Sequence, residues 1–99
     1  MKINGEMLIG HTALKGSGQA IYGYNPISGE YIQPPFLASS KANVETACRL
    51  AHNAFDRFRN MPLEQRAVFL ETIADEILAL GEGLITRAST ESGLSLIHI

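Results

Sequence analysis

The sequence is poor in the features of cross-linked, membrane-bound or nucleic-acid-binding proteins. It has one cysteine, which excludes an internal disulfide. Its formal net charge of −2 lacks the basic excess that nucleic acids and anionic membranes attract. No apolar run approaches the roughly 20 residues of a membrane span, and residues 1–6 lack the apolar core of a signal peptide. We therefore expect a cytoplasmic protein that binds neither nucleic acid nor membranes.

The chain does contain enough apolar residues to fold. Its hydrophobic fraction of 45% is ordinary for globular proteins and too high for a disordered chain. Its 99 residues correspond to one small domain at most.

Residues 43–93 have the periodicity of two long amphipathic helices. Asn43 is a suitable N-cap for the first helix, which Asn60 and Pro62 should end. Its apolar residues recur every three or four positions, and they are Val44, Ala47, Cys48, Ala51, Ala54, Phe55 and Phe58. Pro62 suits the first position of the second helix, whose apolar residues are Leu63, Ala67, Leu70, Ile73, Ala74, Ile77 and Leu80. Gly81 should end or kink this helix, and Gly93 should stop the turns that follow it.

These two helices predict an uncovered surface. The short link between them indicates an antiparallel pair. Both apolar stripes are too wide to be covered by the other helix alone, so the pair requires a third layer of protein.

Residues 1–42 predict extended chain and turns. Residues 6–10 form a short apolar run that suits a strand, and residues 11–18 suit a loop. Residues 19–33 predict a β-hairpin around residues 25–30, where Pro26 presets φ and Gly29 supplies a positive φ. Pro34 and Pro35 should end its second strand. The predicted class is thus α+β, with a strand and hairpin in residues 1–42 and a helical hairpin in residues 43–94.

The residues that could carry chemistry favour structural roles. Cys48 lies on the apolar stripe, away from a helix N-terminus, and is expected to be a buried structural cysteine. The three histidines have no partner at metal-ligand spacing, and they are His11, His52 and His98. The loop at residues 16–18 lacks the third glycine and the following helix of a dinucleotide-binding turn, and is expected to be flexible.

The charged residues of the helices have two interpretations each. Four carboxylates follow the polar side of the second helix, where solvated groups are more typical than an acid–base pair, and they are Glu64, Glu71, Asp75 and Glu76. Arg66 and Arg87 could bind a carboxylate or phosphate of another part of a larger protein, or could pair with a nearby acid. We predict no catalytic, cofactor-binding or metal-binding residue in the chain.

Several motifs, in order, resemble the N-terminus of the aldehyde dehydrogenase superfamily. They are residues 5–10 (Gly-Glu-Met-Leu-Ile-Gly), 25–30 (Asn-Pro-Ile-Ser-Gly-Glu), 43–47, 54–55, 66–75 and 91–94. Residues 5–10, 74–77 (Ala-Asp-Glu-Ile) and 80–88 also resemble one branch, the NADP-preferring 2,5-dioxovalerate (α-ketoglutaric semialdehyde) dehydrogenases.

The resemblance implies a parent enzyme that oxidises an aldehyde to a carboxylate with NAD or NADP. In that family a cysteine thiolate attacks the aldehyde, hydride passes to the nicotinamide, and a glutamate activates water to hydrolyse the thioester. No residue here matches those groups, and Cys48 does not correspond to the family's nucleophile. The chain is then expected to be an inactive scaffold fragment of the larger α/β fold, with the rest of a homo-oligomeric parent as its partner.

The last residues depart from the family pattern. After residues 91–94 the family continues with a proline and soon an arginine, whereas residues 95–99 read Ser-Leu-Ile-His-Ile. We expect residues 95–99 to be a non-native or truncated tail. Two rival hypotheses are a freestanding α+β module that binds a partner through its apolar helix faces, and a small enzyme that uses Cys48.

Overall fold

The computed structural model describes residues 1–95, which form two small antiparallel hairpins followed by three helices. The strands are β1 (Met7–Ile9), β2 (Thr12–Leu14), β3 (Ala20–Asn25) and β4 (Glu30–Leu37). The helices are α1 (Lys41–Arg59), α2 (Leu63–Ala79) and α3 (Glu82–Ser92). The predicted α+β class is confirmed. The prediction of a non-native tail falls on residues 95–99, of which 96–99 lie outside the described residues.

Only the first strand of the first hairpin was predicted. β1 pairs with β2 in the register Met7 to Leu14 and Ile9 to Thr12, although residues 11–18 were expected to form a loop. Gly10 and His11 make the connection, and Gly10 has a φ of +61°. A two-residue hairpin turn with positive φ at its first position only is the type II′ pattern, which favours glycine there.

The second hairpin was predicted correctly at its turn. Asn25 pairs with Glu30, and the Oδ1 atom of Asn25 accepts hydrogen bonds from the backbone N–H groups of Ile27 at 2.9 Å and Ser28 at 3.2 Å. Gly29 has a φ of +76° and donates its N–H to the carbonyl oxygen of Asn25 at 2.8 Å. The side chain of Asn25 thus provides an acceptor for N–H groups of the turn that lack a backbone partner.

The expectation that Pro34 and Pro35 end this hairpin was wrong. β4 continues through both prolines to Leu37, and the Gln33–Pro34 peptide bond is cis. The register shifts at this point, because Ile21 pairs with Phe36 whereas Gly23 pairs with Ile32. The prolines therefore lie in a bulge, where a strand tolerates residues that cannot donate a ladder hydrogen bond.

The N-cap of α1 lies three residues before the predicted one. Ser40 is the N-cap, and Asn43 lies inside the helix. The Asn43 N–H donates to Ser40 Oγ at 3.1 Å, and the Ser40 N–H donates to Asn43 Oδ1 at 3.1 Å. Asn43 thus takes part in a reciprocal capping box from the third helical position. The helix starts earlier than predicted because neither Lys41 nor Ala42 is a helix-breaking residue.

The other helix boundaries follow the prediction closely. Asn60 is the C-cap of α1. Pro62 is the N-cap of α2 and not its first helical residue, so α2 begins one residue later than expected. Gly81 separates α2 from α3, and Gly93 ends α3 in the left-handed conformation with a φ of +73°. None of these helices, within residues 1–95, is long and apolar enough to cross a membrane.

The helices do not close into a compact unit. α1 and α2 meet near their junction, where the rings of Phe58 and Phe69 lie 5.6 Å apart, but they do not pack side by side along their lengths. The radius of gyration is 16.9 Å, whereas a compact chain of this length has about 13 Å. α1 contacts the first hairpin and α3 contacts the second, whereas α2 makes no comparable contact with either.

Candidate functional site

The most distinctive surface of the molecule is the uncovered apolar face of α1 and α2. No hydrophobic side chain in residues 1–95 is buried. Leu63 is 77% exposed, Leu70 63% and Ile77 51%, although apolar residues at helical spacing normally face a core. Arg66 is the one residue of α2 that is partly buried. We name this surface the α1–α2 apolar face, comprising the two stripes defined above.

Cys48 shares this exposure, so the expectation of a buried cysteine was wrong for the chain as it stands. Its thiol is free and lies on α1 beside the other exposed members of the stripe. The helical pattern placed Cys48 on the apolar face correctly. The face is exposed because nothing in the described residues lies against it.

Arg66 braces the junction of α1 and α2. Its Nε donates a hydrogen bond to the carbonyl oxygen of Met61 at 3.1 Å, and its Nη2 donates to the carbonyl oxygen of Arg59 at 2.7 Å. Its guanidinium also lies 5.8 Å from the ring centroid of Phe58. Arg66 therefore satisfies carbonyl groups at the end of α1, rather than pairing with the acid that one interpretation of the sequence proposed.

Arg87 fastens α3 to the second hairpin. Its Nε lies 2.8 Å from Glu91 Oε2, and its Nη1 donates to the carbonyl oxygen of Gln33 at 3.0 Å. The Arg87 side chain is only 14% exposed, whereas that of its partner Glu91 is 45% exposed. This arrangement agrees with the interpretation that Arg87 pairs with a nearby acid.

Sequence reasoning missed the glycine that makes room for this contact. A Cβ atom on Gly23 would lie 2.8 Å from Arg87 Nη2 and 2.9 Å from Glu91 Oε1. Gly23 stands in β3, where glycine is otherwise unfavourable, and a glycine inside a strand indicates close approach of another group. That signal could have directed attention to Gly23.

The loop at residues 16–18 packs against the backbone at the end of β4 rather than facing a ligand. Gly16 is buried, and a Cβ atom there would collide with the carbonyl oxygens of Leu37 and Ala38. Gly18 donates its N–H to the Ala38 carbonyl oxygen at 2.8 Å. The loop leads into β3 and not into a helix, so it does not fit the pyrophosphate of a dinucleotide.

The remaining candidates are not brought together. The four carboxylates of α2 are exposed, and none of them forms a salt bridge within residues 1–95; they are Glu64, Glu71, Asp75 and Glu76. His52 is exposed on α1, and His98 lies outside the described residues. The described part of the chain contains no group of three or more His, Cys, Asp or Glu side chains that could hold a metal ion.

His11 lies at a cleft of about 400 Å³ between the first hairpin and α1. Most of its lining surface is apolar, and its other lining residues are Ile9, Gly10, Thr12, Leu14, Asn43, Thr46 and Leu50. Asn43 is engaged in the cap of α1. The polar side chains of the cleft that could still orient a ligand are those of His11, Thr12 and Thr46.

Comparison with known proteins identifies relatives. The model of the aldehyde dehydrogenase family matches residues 14–99. The α-ketoglutaric semialdehyde dehydrogenase 2 of Azospirillum brasilense is 49% identical over 100 residues, which cover 100% of this chain and 19% of that protein. The α-ketoglutaric semialdehyde dehydrogenase of Acinetobacter baylyi is 28% identical over 96 residues, which cover 97% of this chain and 18% of that protein. The chain thus spans about a fifth of the length of these curated relatives. No solved structure matches it.

Proposed function

Because the chain belongs to the aldehyde dehydrogenase family, we propose that it is an N-terminal scaffold segment of an NAD(P)-dependent aldehyde dehydrogenase. The observation that carries this proposal is the α1–α2 apolar face. Two helices with wide apolar stripes and no buried hydrophobic side chain require cover from another layer of protein. The rest of a parent chain would supply that layer.

We propose α-ketoglutaric semialdehyde (2,5-dioxovalerate) as the aldehyde that the parent oxidises to a carboxylate. Support comes from the names of the two relatives, one of which shares 49% of its aligned residues with this chain. The parent would transfer a hydride from the substrate to NAD or NADP. The parent is further proposed to be a homo-oligomer. It is also proposed to be cytoplasmic, in keeping with a chain whose single cysteine makes no internal disulfide.

The contribution of this segment is structural in the proposal. Residues 1–40 form its hairpin part and residues 41–94 its helical part, a boundary two residues earlier than the sequence predicted because α1 begins at Lys41. In this proposal neither part holds a catalytic, cofactor-binding or metal-binding residue. Arg66 and Arg87, which could have bound an anion, are occupied by contacts inside the chain. The glycine loop at residues 16–18 does not fit a dinucleotide. We therefore derive no catalytic step from these residues, and the isolated chain is expected to be inactive.

A freestanding module that binds a partner through the same face is the alternative from a different class. Such a module must bury a core of its own before it can present a binding surface. The extended shape and the absence of a buried hydrophobic side chain in residues 1–95 count against it. The absence of a buried hydrophobic side chain in residues 1–95 also counts against a small independent enzyme built on the exposed Cys48.

A chimera tests the proposal. Residues 1–94 of this chain replace the matching segment of the Azospirillum brasilense enzyme, and reduction of NAD and NADP is followed with α-ketoglutaric semialdehyde. We expect a soluble, active chimera and no cofactor reduction by the 99-residue chain alone. As a control, the same enzyme lacking the segment should be insoluble or inactive. A chimera that fails to fold, or a deletion variant that keeps full activity, would contradict a scaffold role.

A further inference from the structure

No further inference is drawn: the strongest candidate, the mostly apolar cleft between the β1–β2 hairpin and α1, borders the α1–α2 apolar face, and nothing in the structure shows what covers either of them.

Discussion

The guanidinium of Arg87 donates a hydrogen bond of 3.0 Å to the carbonyl oxygen of Gln33, a residue 54 positions earlier in the chain. Arg87 lies on α3 and Gln33 lies in the bulge of β4, so the bond joins the last helix to the second hairpin. Glu91 holds the guanidinium in place from the next turn of α3. This contact is the clearest polar link between the helical and the hairpin parts of the molecule.

Replacement of Arg87 by alanine should loosen α3 from the hairpin. The change removes a charge-assisted bond to Glu91 and the bond to the Gln33 carbonyl, and we expect the chimera to lose about 1.5–3 kcal/mol of unfolding free energy. Chemical denaturation measures the loss. Lys41→Ala is the matched control. The Lys41 side chain is 92% exposed and its Nζ lies 3.9 Å from Glu45 Oε1, and such exposed ion pairs contribute at most about 1 kcal/mol. Equal losses in the two variants would contradict the role given to Arg87.

Replacement of Gly16 by alanine should disrupt the approach of the loop to β4. The new Cβ atom would meet two backbone carbonyl oxygens, of Leu37 and Ala38, which cannot rotate away as a flexible side chain can. We expect a loss of several kcal/mol, or failure of the chimera to fold, as measured by thermal unfolding.

Gly83→Ala provides the comparison for this variant. Gly83 lies in α3, and its Cβ atom would lie 3.1 Å from the Cβ atom of Met1 at the chain terminus. Alanine favours a helix by up to about 1 kcal/mol over glycine, so we expect this variant to be neutral or slightly stabilised. Gly16→Ala with unchanged stability would show that the close approach is absent in solution.

Replacement of Ser40 by alanine should weaken the start of α1. The side chain of Ser40 accepts the N–H of Asn43 at 3.1 Å, and loss of such a cap costs about 0.5–2 kcal/mol. Ser39→Ala is the control, because Ser39 is exposed and lies just outside the cap. Chemical denaturation of both chimeras separates the two positions. If Ser39→Ala costs as much as Ser40→Ala, the helix does not begin where the structure places it.

The effect of Leu70→Ala should depend on whether the α1–α2 apolar face is covered. Leu70 is 63% exposed in this chain, so the substitution should barely change its helix content, as followed by circular dichroism. In the chimera the same side chain should be buried, and its truncation should cost about 2–5 kcal/mol. Glu71→Ala, next along the exposed helix, should be mild in both settings. A small cost of Leu70→Ala in the chimera would mean that this face is not covered there.

Features that depend on neighbouring residues could be predicted from the sequence. The turn at residues 25–30 follows from Asn25, Pro26 and Gly29 acting within six positions, and Gly93 ends α3 for an equally local reason. β2 was missed because its three residues, unlike the three apolar residues of β1, do not form a wholly apolar run that would mark a strand. The signal that could have found it is Gly10 directly after the apolar run, since glycine at the first position of a two-residue loop is typical of a tight hairpin.

Features that depend on distant partners could not be predicted. Continuation of β4 past Pro34 depends on a bulge opposite Tyr22, and strand rules alone place prolines at a strand end. The partners of Arg66 and Arg87 are mostly backbone carbonyl oxygens, which every residue possesses and which no sequence pattern marks. Cys48 was assigned correctly to an apolar face, but its burial depends on protein that lies against that face.

The most direct test of a scaffold role is amide hydrogen exchange of α1 and α2, compared between the 99-residue chain and the chimera. Exchange protection reports how much free energy is needed to open each helix. Because no hydrophobic side chain is buried in residues 1–95, the helices of the isolated chain should exchange almost as fast as unfolded peptide, whereas those of the chimera should be protected by several orders of magnitude. Strong and equal protection in an isolated monomer would contradict the account, because the helices would then need no cover from a parent enzyme.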